Sequence, residues 1–380
     1  MKLKLICISA LCIMLGATGI SAQKKNAMLK RTSPEFFKSD EARRIGDQVL
    51  LYQRVTGGWP KNIDMARELD DTERARVMAE KERRYDSTTD NDATILQLRY
   101  LARLYKATGE EKYRDAFQRG IDFLLEGQYP NGGWPQFWPE NSGYQIHITY
   151  NDNAMIGTMS VIRDLMNGAE PFDVPGLMPD GYREKLMDSF NRGVECILAT
   201  QIVTDGRPTV WCQQHYRDTY APAPARSYEL PSYCSSESVG IVQLLMEIPD
   251  PDDRIKRSVH GAMRWLDDHK ITGFRCRRIN DNGQFDTRMV SDHDAPAMWA
   301  RFYDLEYGEP YVCDRDGIPR RHLDEIGPER RNGYGWYNDR PAGLYEMYDK
   351  WADRYDPGHK EAIDLHGKGG NETGIMNLDR

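Results

Sequence analysis

Apolar side chains recur along most of this chain at intervals of three or four residues, the spacing of one face of an α-helix. Between residues 93 and 107, for example, Ile95, Leu98 and Leu101 fall on one side. The pattern predicts helices over 93–107, 113–126, 155–166, 182–200, 238–247, 255–269 and 295–307. Alternation typical of strands is scarce, and we expect short extended pieces only around 145–150 and 273–279.

A weak internal repeat accompanies these helices. A helix end, a glycine-rich turn and an aromatic residue follow one another four times, ending at Trp59, Trp134, Trp211 and Phe274. A period of roughly 70 residues is long enough for a helical hairpin and its loops. We therefore predict a mainly α fold, an α/α toroid or barrel of helical hairpins, with short β pieces and long loops. An open α-solenoid is the alternative.

The N-terminus has the pattern of a secretory signal peptide. Lys2 and Lys4 precede an apolar run over 5–20, and small residues follow it. This pattern predicts a signal peptide at 1–22 and a secreted or periplasmic protein. A membrane anchor is the alternative, but the run is short for a span, and we expect no span in the mature chain.

Composition limits the remaining choices. Behind the signal peptide we expect one toroidal catalytic domain over 23–356 and a polar C-terminal tail over 357–380. The formal net charge of −8 argues against non-specific nucleic-acid binding. Five of the seven cysteines remain in the mature chain, an odd number at long spacings, which predicts neither a dense disulfide framework nor a CxxC zinc site. One or two disulfides would suit an oxidising compartment, and we expect a monomer.

Two acid and amide clusters are the most informative features of the sequence. Asp90-Asn91-Asp92 and Asn151-Asp152-Asn153 each open an apolar helical stretch, and each follows a Gly-Gly-Trp-Pro element. Oxygen donors at two helix starts that share one face suit a calcium ion, or an acidic sugar bridged by calcium. Each cluster could instead cap its helix, since Asp and Asn are common N-caps. The occurrence of both clusters favours a shared oxygen-rich site.

Three further residues are candidates for substrate binding. Lys61 follows the first Trp-Pro and could pair with a substrate carboxylate, with a solvated surface lysine as the alternative. Trp134 could stack on a sugar ring beside a cleft, or it could pack the toroid. His147 lies on an extended piece close in sequence to Asp152 and could equally be structural.

Four arginines lie in loops near glycine and proline, where functional residues concentrate. They are Arg226, Arg315, Arg330 and Arg331. A guanidinium group matches a carboxylate with two parallel hydrogen bonds, so these residues could bind an acidic substrate. Ion pairs with neighbouring Asp and Glu are the alternative. The chain contains no Gly-x-Ser-x-Gly, no HExxH and no phosphate-binding glycine loop.

Six short motifs are spread along nearly all of the mature chain. They are TGGWPKN at 56–62, TDNDAT at 89–94, GGWPQ at 132–136, HITYNDNAM at 147–155, PARSYE at 224–229 and ERRNGYGWY at 329–337. Together they resemble the pectate lyases of polysaccharide lyase family 10. The resemblance implies an α/α toroid-like domain that cleaves polygalacturonate by calcium-assisted β-elimination and releases 4,5-unsaturated oligogalacturonides. One departure from the family pattern is Asp92, where a small residue is expected.

The resemblance also implies roles for single residues. The residues expected to hold calcium where it meets the substrate carboxylates are Asp90, Asn91 and Asp152. The residues expected to bind substrate carboxylates directly are Lys61, Arg226 and Arg315. The catalytic base is expected to be Arg330 or Arg331, with Arg330 favoured and the choice left open by the sequence.

Two rival functions remain open from the sequence. A glycoside hydrolase acting on an acidic polysaccharide could use Asp90 and Asp152 as its acid and base. A calcium-dependent pectin-binding protein would need the metal ligands but no base. An arginine base must lose its proton before it can accept another, so a lyase of this kind is expected to become more active as the pH rises.

Overall fold

The structure is a computed structural model that describes residues 26–281 and 283–367. The predicted signal peptide at 1–22 and the last part of the predicted tail, 368–380, lie outside the described residues. Among the residues that are described, no helix is both long and apolar enough to cross a membrane. The fold is rich in helices, and most of its strands are only a few residues long.

Helices alternate with loops that carry most of the strands. The α-helices of the described chain are α1 (Pro34–Phe37), α2 (Asp40–Tyr52), α3 (Asp71–Ala79), α4 (Ile95–Thr108), α5 (Glu111–Glu126), α6 (Ala154–Met166), α7 (Tyr182–Thr200), α8 (Ser235–Met246), α9 (Asp253–Asp268), α10 (Pro328–Gly333) and α11 (Leu344–Tyr355). The strands are β1 (Ile148–Thr149), β2 (Val203–Thr204), β3 (Arg207–Pro208), β4 (Gln214–His215), β5 (Tyr233–Cys234), β6 (Phe274–Asp281), β7 (Gln284–Ser291), β8 (Trp299–Ala300), β9 (Phe302–Tyr303), β10 (Pro310–Cys313), β11 (Pro319–Arg320) and β12 (Tyr337–Asn338).

The strands pair into small antiparallel sheets. The largest has four strands in the order β11-β10-β9-β5, and β6 pairs with β7 in a long hairpin. None of the sheets in the described residues closes into a barrel. The four-stranded sheet contributes Cys234, Phe302 and Val312 to a second, smaller hydrophobic cluster beside the helical body.

The helical periodicity is a reliable guide over most of the chain. Each predicted helix from 93–107 to 255–269 is present, with its ends shifted by a few residues. The predicted helix over 295–307 is wrong, because this segment forms β8 and β9. These strands pair with β12, β5 and β10, and all four of their residues are buried. Burial of consecutive residues gives an apolar run that periodicity alone does not distinguish from a helix.

The internal repeat corresponds to a structural unit. Four tryptophans, Trp59, Trp134, Trp211 and Trp299, are fully buried. Each indole N–H donates to a carbonyl in the last turn of the preceding helix, at 2.8, 2.7, 2.8 and 2.7 Å respectively. The fourth unit therefore centres on Trp299 and not on Phe274, which begins β6.

Each unit runs from one helix through its tryptophan to a second helix. The pairs are α2 and α4, α5 and α6, α7 and α8, and α9 and α11. The second helices α4, α6, α8 and α11 contact one another in sequence, while α7 packs against α9 in the layer of first helices. The turn before α4 contacts the turn before α6, which in turn contacts α8. The starts of the second helices therefore meet at one end of the molecule.

The described part of the predicted tail, residues 357–367, is attached to this body. Lys270 Nζ donates to the Asp364 carbonyl at 2.6 Å, and the Glu361 N–H donates to the Tyr348 hydroxyl at 2.8 Å.

The five cysteines of the predicted mature chain are all free. Burial raises the pKa of the Cys212 thiol to about 11, which keeps it protonated and unreactive.

Candidate functional site

A pocket of about 490 Å³ lies where the second helices of the units begin. Its walls come from the turns before α4 and α6, the first turn of α8, and the strands β8 and β12 with their flanking loops. The lining residues used below are Asn91, Asp92, Asp152, Asn153, Glu237, Arg301 and Tyr337. Most of them carry oxygen atoms or a charge, so the pocket suits a polar or ionic ligand.

The two acidic turns before α4 and α6 share one backbone shape. We call residues 90–92 the first acidic turn and residues 151–153 the second. Asn91 and Asp92 have φ of 54° and 61°, and Asp152 and Asn153 have φ of 50° and 64°. Left-handed backbone is uncommon outside glycine, although Asn and Asp tolerate it best, and strained turns cluster at functional sites. The matched strain therefore supports a common purpose for the two turns.

Asp90 is a fully buried carboxylate with one oxygen in use. Oδ2 accepts hydrogen bonds from Lys61 Nζ at 2.5 Å and from Gln136 Nε2, whereas Oδ1 has no hydrogen-bond partner. Burial raises the pKa of Asp90 above its ordinary value; Lys61 lowers it, and the negative Asp152 raises it again. An oxygen without a partner and the nearby like charge of Asp152 would both favour a further cation beside Asp90.

The side-chain oxygen atoms of the two acidic turns are compatible with binding of a calcium ion. The described residues hold no group of three His, Cys, Asp or Glu side chains arranged to bind a metal. Calcium accepts six to eight oxygens, including amides, waters and ligand carboxylates, and does not need a purely acidic cage. The residues that would hold it are Asp90, through Oδ1, and Asp152, with the amide oxygens of Asn91 and Asn153 close by. The substrate would then supply the remaining oxygens.

Arg301 is a functional candidate that the sequence did not reveal. Its side chain is 12% exposed, and Nη2 donates to Glu237 and to Asn151 Oδ1, the latter at 2.9 Å. Burial works against the charged form, but Glu237, Tyr334, Cys234 and Asp152 together outweigh it and keep the pKa of Arg301 above its ordinary value. The apolar periodicity predicted a helix at this position. In the structure Arg301 lies between the strands β8 and β9, and this arrangement places its side chain beside Asn151 of the second acidic turn.

Three of the predicted arginines gather around one ring. The guanidinium carbons of Arg330, Arg226 and Arg315 lie 4.6, 5.2 and 5.9 Å from the centroid of Tyr228. We call these three residues the Tyr228 arginine cluster. Arg315 and Arg330 share the Glu329 carboxylate, and their hydrogen bonds lower the pKa of Glu329 to about 2. The cluster offers several guanidinium groups to one acidic ligand.

A buried glutamate anchors the cluster on the side of Arg226. Glu229 is fully buried and accepts from Arg226 Nε at 2.8 Å, from Arg226 Nη2 at 2.5 Å and from the Tyr334 hydroxyl at 2.6 Å. Burial alone would raise the pKa of Glu229, but the bonds from Arg226 bring it below its ordinary value. The carboxylate is therefore ionised and fixes the direction of the guanidinium.

Two aromatic residues connect the cluster with the pocket. The guanidinium carbon of Arg301 lies 4.8 Å from the centroid of the Tyr334 ring. Burial raises the pKa of Tyr144, while Arg226 lowers it and Asp90 raises it. Because charges act on a phenol only from nearby, Arg226 and Asp90 both lie near Tyr144. The acidic turns and the Tyr228 arginine cluster thus border one continuous region.

Three predicted site residues lie apart from this region. Trp134 is in the core with its indole bonded to the Leu124 carbonyl, so it has no exposed face on which a sugar could stack. Arg331 turns away from Tyr228 and donates to Asp286 Oδ1 at 2.6 Å. His147 packs edge-on against Tyr216 at 4.7 Å, and burial lowers its pKa. Asn91 and Asp152 line the pocket. The predicted site residues that do not line it are Trp134, His147 and Arg331, and also Lys61, Asp90, Arg226, Arg315 and Arg330.

Two polar partners in the site were also missed by the sequence reasoning. Gln136, which bonds Asp90, closes the GGWPQ motif, and Glu229 closes the PARSYE motif. Gln136 and Glu229 each belong to one of the six motifs, but the sequence alone did not indicate a role for either residue. The signal for Gln136 was a polar residue directly after a rigid Trp-Pro, and the signal for Glu229 was an acidic residue three positions after an arginine.

Known families and structures similar to this chain are consistent with one another. Residues 53–345 match the family model described as pectic acid lyase. The family 10 polysaccharide lyase from Cellvibrio cellulosa has a TM-score of 0.74 and 31% sequence identity, covering 88% of this chain and 96% of that chain. A mutant of that lyase in complex with trigalacturonic acid has the same TM-score and identity, covering 87% and 97%. No match is found among curated proteins.

Proposed function

This chain belongs to the pectic acid lyase family and is a polysaccharide lyase of family 10, and from this premise we propose that it cleaves α-1,4-polygalacturonate by calcium-assisted β-elimination. The products would be 4,5-unsaturated oligogalacturonides. The observation that carries the proposal is the buried Asp90 carboxylate, whose Oδ1 has no hydrogen-bond partner and whose pKa is raised by burial and by the nearby charge of Asp152. The galacturonate ligand named for the similar lyase supports the same class of substrate.

The chemistry requires charge stabilisation next to the reacting carbon. Removing the C5 proton of a galacturonate builds negative charge on its carboxylate, and bound calcium would supply a Lewis acid there. Lys61 and the guanidinium groups of Arg226, Arg301 and Arg315 are available to bind the substrate carboxylates. Groups already fixed by partners such as Glu229 and Glu237 need little reorganisation when the charge develops, which favours the transition state.

The proposed base is an arginine of the Tyr228 arginine cluster. Both Arg330 and Arg331 are ion-paired, with Glu329 and Asp286 respectively, but Arg330 belongs to the Tyr228 arginine cluster and Arg331 does not, which supports Arg330 as the base. Arg226 is a second candidate because Arg226 and Asp90 both influence the pKa of Tyr144 and so both lie near it. Its pairing with Glu229, however, keeps the pKa of Arg226 above its ordinary value, so a substrate-binding role suits it better.

The rival functions receive less support. Membership of a lyase family gives a hydrolase based on Asp90 and Asp152 no support. An activity assay would distinguish the proposed lyase from a calcium-dependent pectin-binding protein without activity. We also propose that the protein is secreted through the segment 1–22, that its four units form an α/α toroid, and that it is a monomer.

The test is the ultraviolet absorbance of the unsaturated product. Purified protein is mixed with polygalacturonate at alkaline pH, with calcium and then with EDTA. We expect absorbance to rise only with calcium. Reducing ends without the chromophore would instead indicate hydrolysis, and binding without either signal would indicate a pectin-binding protein.

Three arginine variants then locate the base. Arg330→Ala is expected to abolish measurable turnover with folding intact, Arg331→Ala to retain most of it, and Arg226→Ala mainly to raise KM. Loss of kcat in Arg226→Ala or Arg331→Ala, with Arg330→Ala still active, would transfer the role to that residue.

A further inference from the structure

A second group of arginines lies outside the pocket, on the hairpin formed by β6 and β7. Arg277 stands directly opposite Arg288 in the register of the two strands. Arg275 lies two residues before Arg277, so all three share one face of the hairpin. We call Arg275, Arg277 and Arg288 the hairpin arginine row. Their side chains are 39%, 56% and 54% exposed.

The other face of the hairpin is attached to the body of the protein. Cys276 and Met289 stand opposite each other on that face and pack against the hydrophobic core. Cys276 also packs against the cluster that includes Tyr228 and, at its edge, Tyr337, which lines the pocket. The hairpin is therefore fixed beside the candidate site, with the arginine row on its free face.

Shared carboxylates connect the arginine row with the helix α10. Asp292 accepts from Arg275 Nε at 2.8 Å and from Arg277 Nη2 at 3.1 Å. Asp286 accepts from Arg288 Nε at 3.2 Å and from Arg331 Nε at 2.6 Å. Arg331 and Arg330 are neighbours in α10, so the row reaches the helix that also carries a member of the Tyr228 arginine cluster.

The row has more positive than negative charge. Four guanidinium groups, those of the row and of Arg331, share the two carboxylates Asp286 and Asp292. Like charges directly opposite on a strand pair are destabilising, and the register places Arg277 and Arg288 in that relation. An exposed row of unneutralised guanidinium groups on a protein whose net charge is −8 is an attractive site for a polyanion.

We propose that the hairpin arginine row is a second binding surface for polygalacturonate, which holds the part of a long chain that extends out of the pocket. The substrate class rests on the proposed function. Exposed guanidinium groups would pair with successive carboxylates of the polymer, and a chain held at two places is released more slowly than one held at one. A short oligomer fills the pocket alone and gains nothing from the row.

The test compares substrates of two lengths. In the double variant Arg277→Ala/Arg288→Ala, the KM for polygalacturonate is expected to rise about fivefold, the size of two exposed charge contacts. The kcat on the polymer and the kcat/KM on trigalacturonate should stay within about twofold of wild type. Asp286 and Asp292 keep one arginine partner each, so the hairpin should remain folded.

Two further variants serve as controls. Arg76→Ala/Arg254→Ala removes two arginines that are also more than half exposed and ion-paired, but lie on the distant helices α3 and α9, and it should leave both substrates unaffected. Arg277→Lys/Arg288→Lys keeps the charge and should recover most of the polymer affinity. An unchanged polymer KM in the alanine variant would overturn the proposal, and so would an equal loss on trigalacturonate.

A binding measurement without turnover separates this proposal from the proposed function. Electrophoresis through gels containing polygalacturonate and EDTA should retard wild type more than the alanine variant. Retardation that depends on the row supports the inference even if no unsaturated product ever forms, in which case the proposed function alone fails. Equal retardation of the two proteins, or a loss confined to binding of vesicles with anionic lipid, would overturn the inference while lyase activity stands.

Discussion

Asp90 is a carboxylate whose two oxygens have different surroundings. Oδ2 has the partners Lys61 and Gln136, whereas Oδ1 is buried without any. A buried acceptor without a donor costs about 1–3 kcal/mol, and the neighbouring Asp152 adds repulsion. A protein can keep such an unfavourable arrangement where a ligand relieves it. Asp90 should therefore be the most sensitive residue of the proposed calcium site.

The first prediction concerns Asp90→Asn. The amide keeps an acceptor for Lys61 but loses the charge that calcium needs, so kcat/KM should fall about 100-fold and the rise in Tm on adding calcium should vanish. The apo protein should be at least as stable as wild type, because a buried charge has been removed. Thermal melts with a calcium titration measure both effects.

Asp92→Asn is the matched control for this experiment. Asp92 lies in the same turn, but its side chain is 42% exposed and paired with Lys30 at 3.3 Å. Its loss should change kcat/KM by less than about fivefold. A full calcium response in Asp90→Asn would place the metal elsewhere.

The second prediction concerns Glu229→Gln. The amide has one oxygen and no charge, so it cannot accept both Arg226 bonds and the Tyr334 hydroxyl, and Arg226 should lose its fixed direction. We expect kcat/KM on polygalacturonate to fall about tenfold, equivalent to about 1.4 kcal/mol. Steady-state kinetics measure this fall. Glu73→Gln removes a carboxylate from a similar two-bond pair with Arg67 far from the pocket and should have no effect.

At the scale of the elements, three glutamines connect the repeated units. Each side-chain amide donates to a carbonyl in the turn that follows it and to a carbonyl of the first helix in the next unit. Gln53 reaches Gly57 and Ala116, Gln128 reaches Gly132 and Ser189, and Gln201 reaches Thr209 and Ser258. One residue in each of the first three units thus fixes both the turn before the tryptophan and the position of the next helix.

The third prediction compares Gln53→Leu with Gln128→Leu. Gln53 also accepts from Arg119 Nη2 at 2.8 Å, so its replacement breaks three bonds in a buried place and should cost about 2–4 kcal/mol of unfolding free energy. Gln128 has a buried Oε1 without a partner, and leucine removes that unfavourable atom as well. Its replacement should therefore cost less than that of Gln53. Urea unfolding measures the difference, and the reverse order would contradict this account.

The same elements show how far the sequence could be read. The acidic turns, the repeat and most helices depend on residues close together in the chain, so local patterns predicted them. The Tyr228 arginine cluster joins residues from 226 to 330, and only the pairing of β5, β9 and β10 brings them together. Arg301 was missed because its place in the site also depends on the pairing of these strands. Trp134 was assigned to the substrate because an aromatic motif does not reveal which side of a turn faces the core.

At the scale of the whole molecule, an acidic protein is proposed to bind an acidic polymer. The net charge of −8 repels polygalacturonate at a distance, so the attraction must come from the local arginines and from calcium. Interactions of exposed charges weaken within about 10 Å at moderate ionic strength. Protons compete with calcium for the acidic turns, which makes pH the variable that acts on the entire site.

The fourth prediction is that calcium stabilises the protein more at about pH 8 than at about pH 5. The pKa of Asp90 is raised in the folded state, so its neutral form is tolerated at low pH, and this part of the stability of the metal-free protein is lost as the pH rises through that pKa. Calcium binds only the ionised form and restores what was lost, so the increase in Tm at saturating calcium should grow with pH. Other carboxylates also titrate in this range, and Asp90→Asn isolates the contribution of Asp90 because its calcium response should be small and independent of pH. Equal increases in Tm at both pH values in wild type would show that Asp90 is not the group that couples calcium to protons.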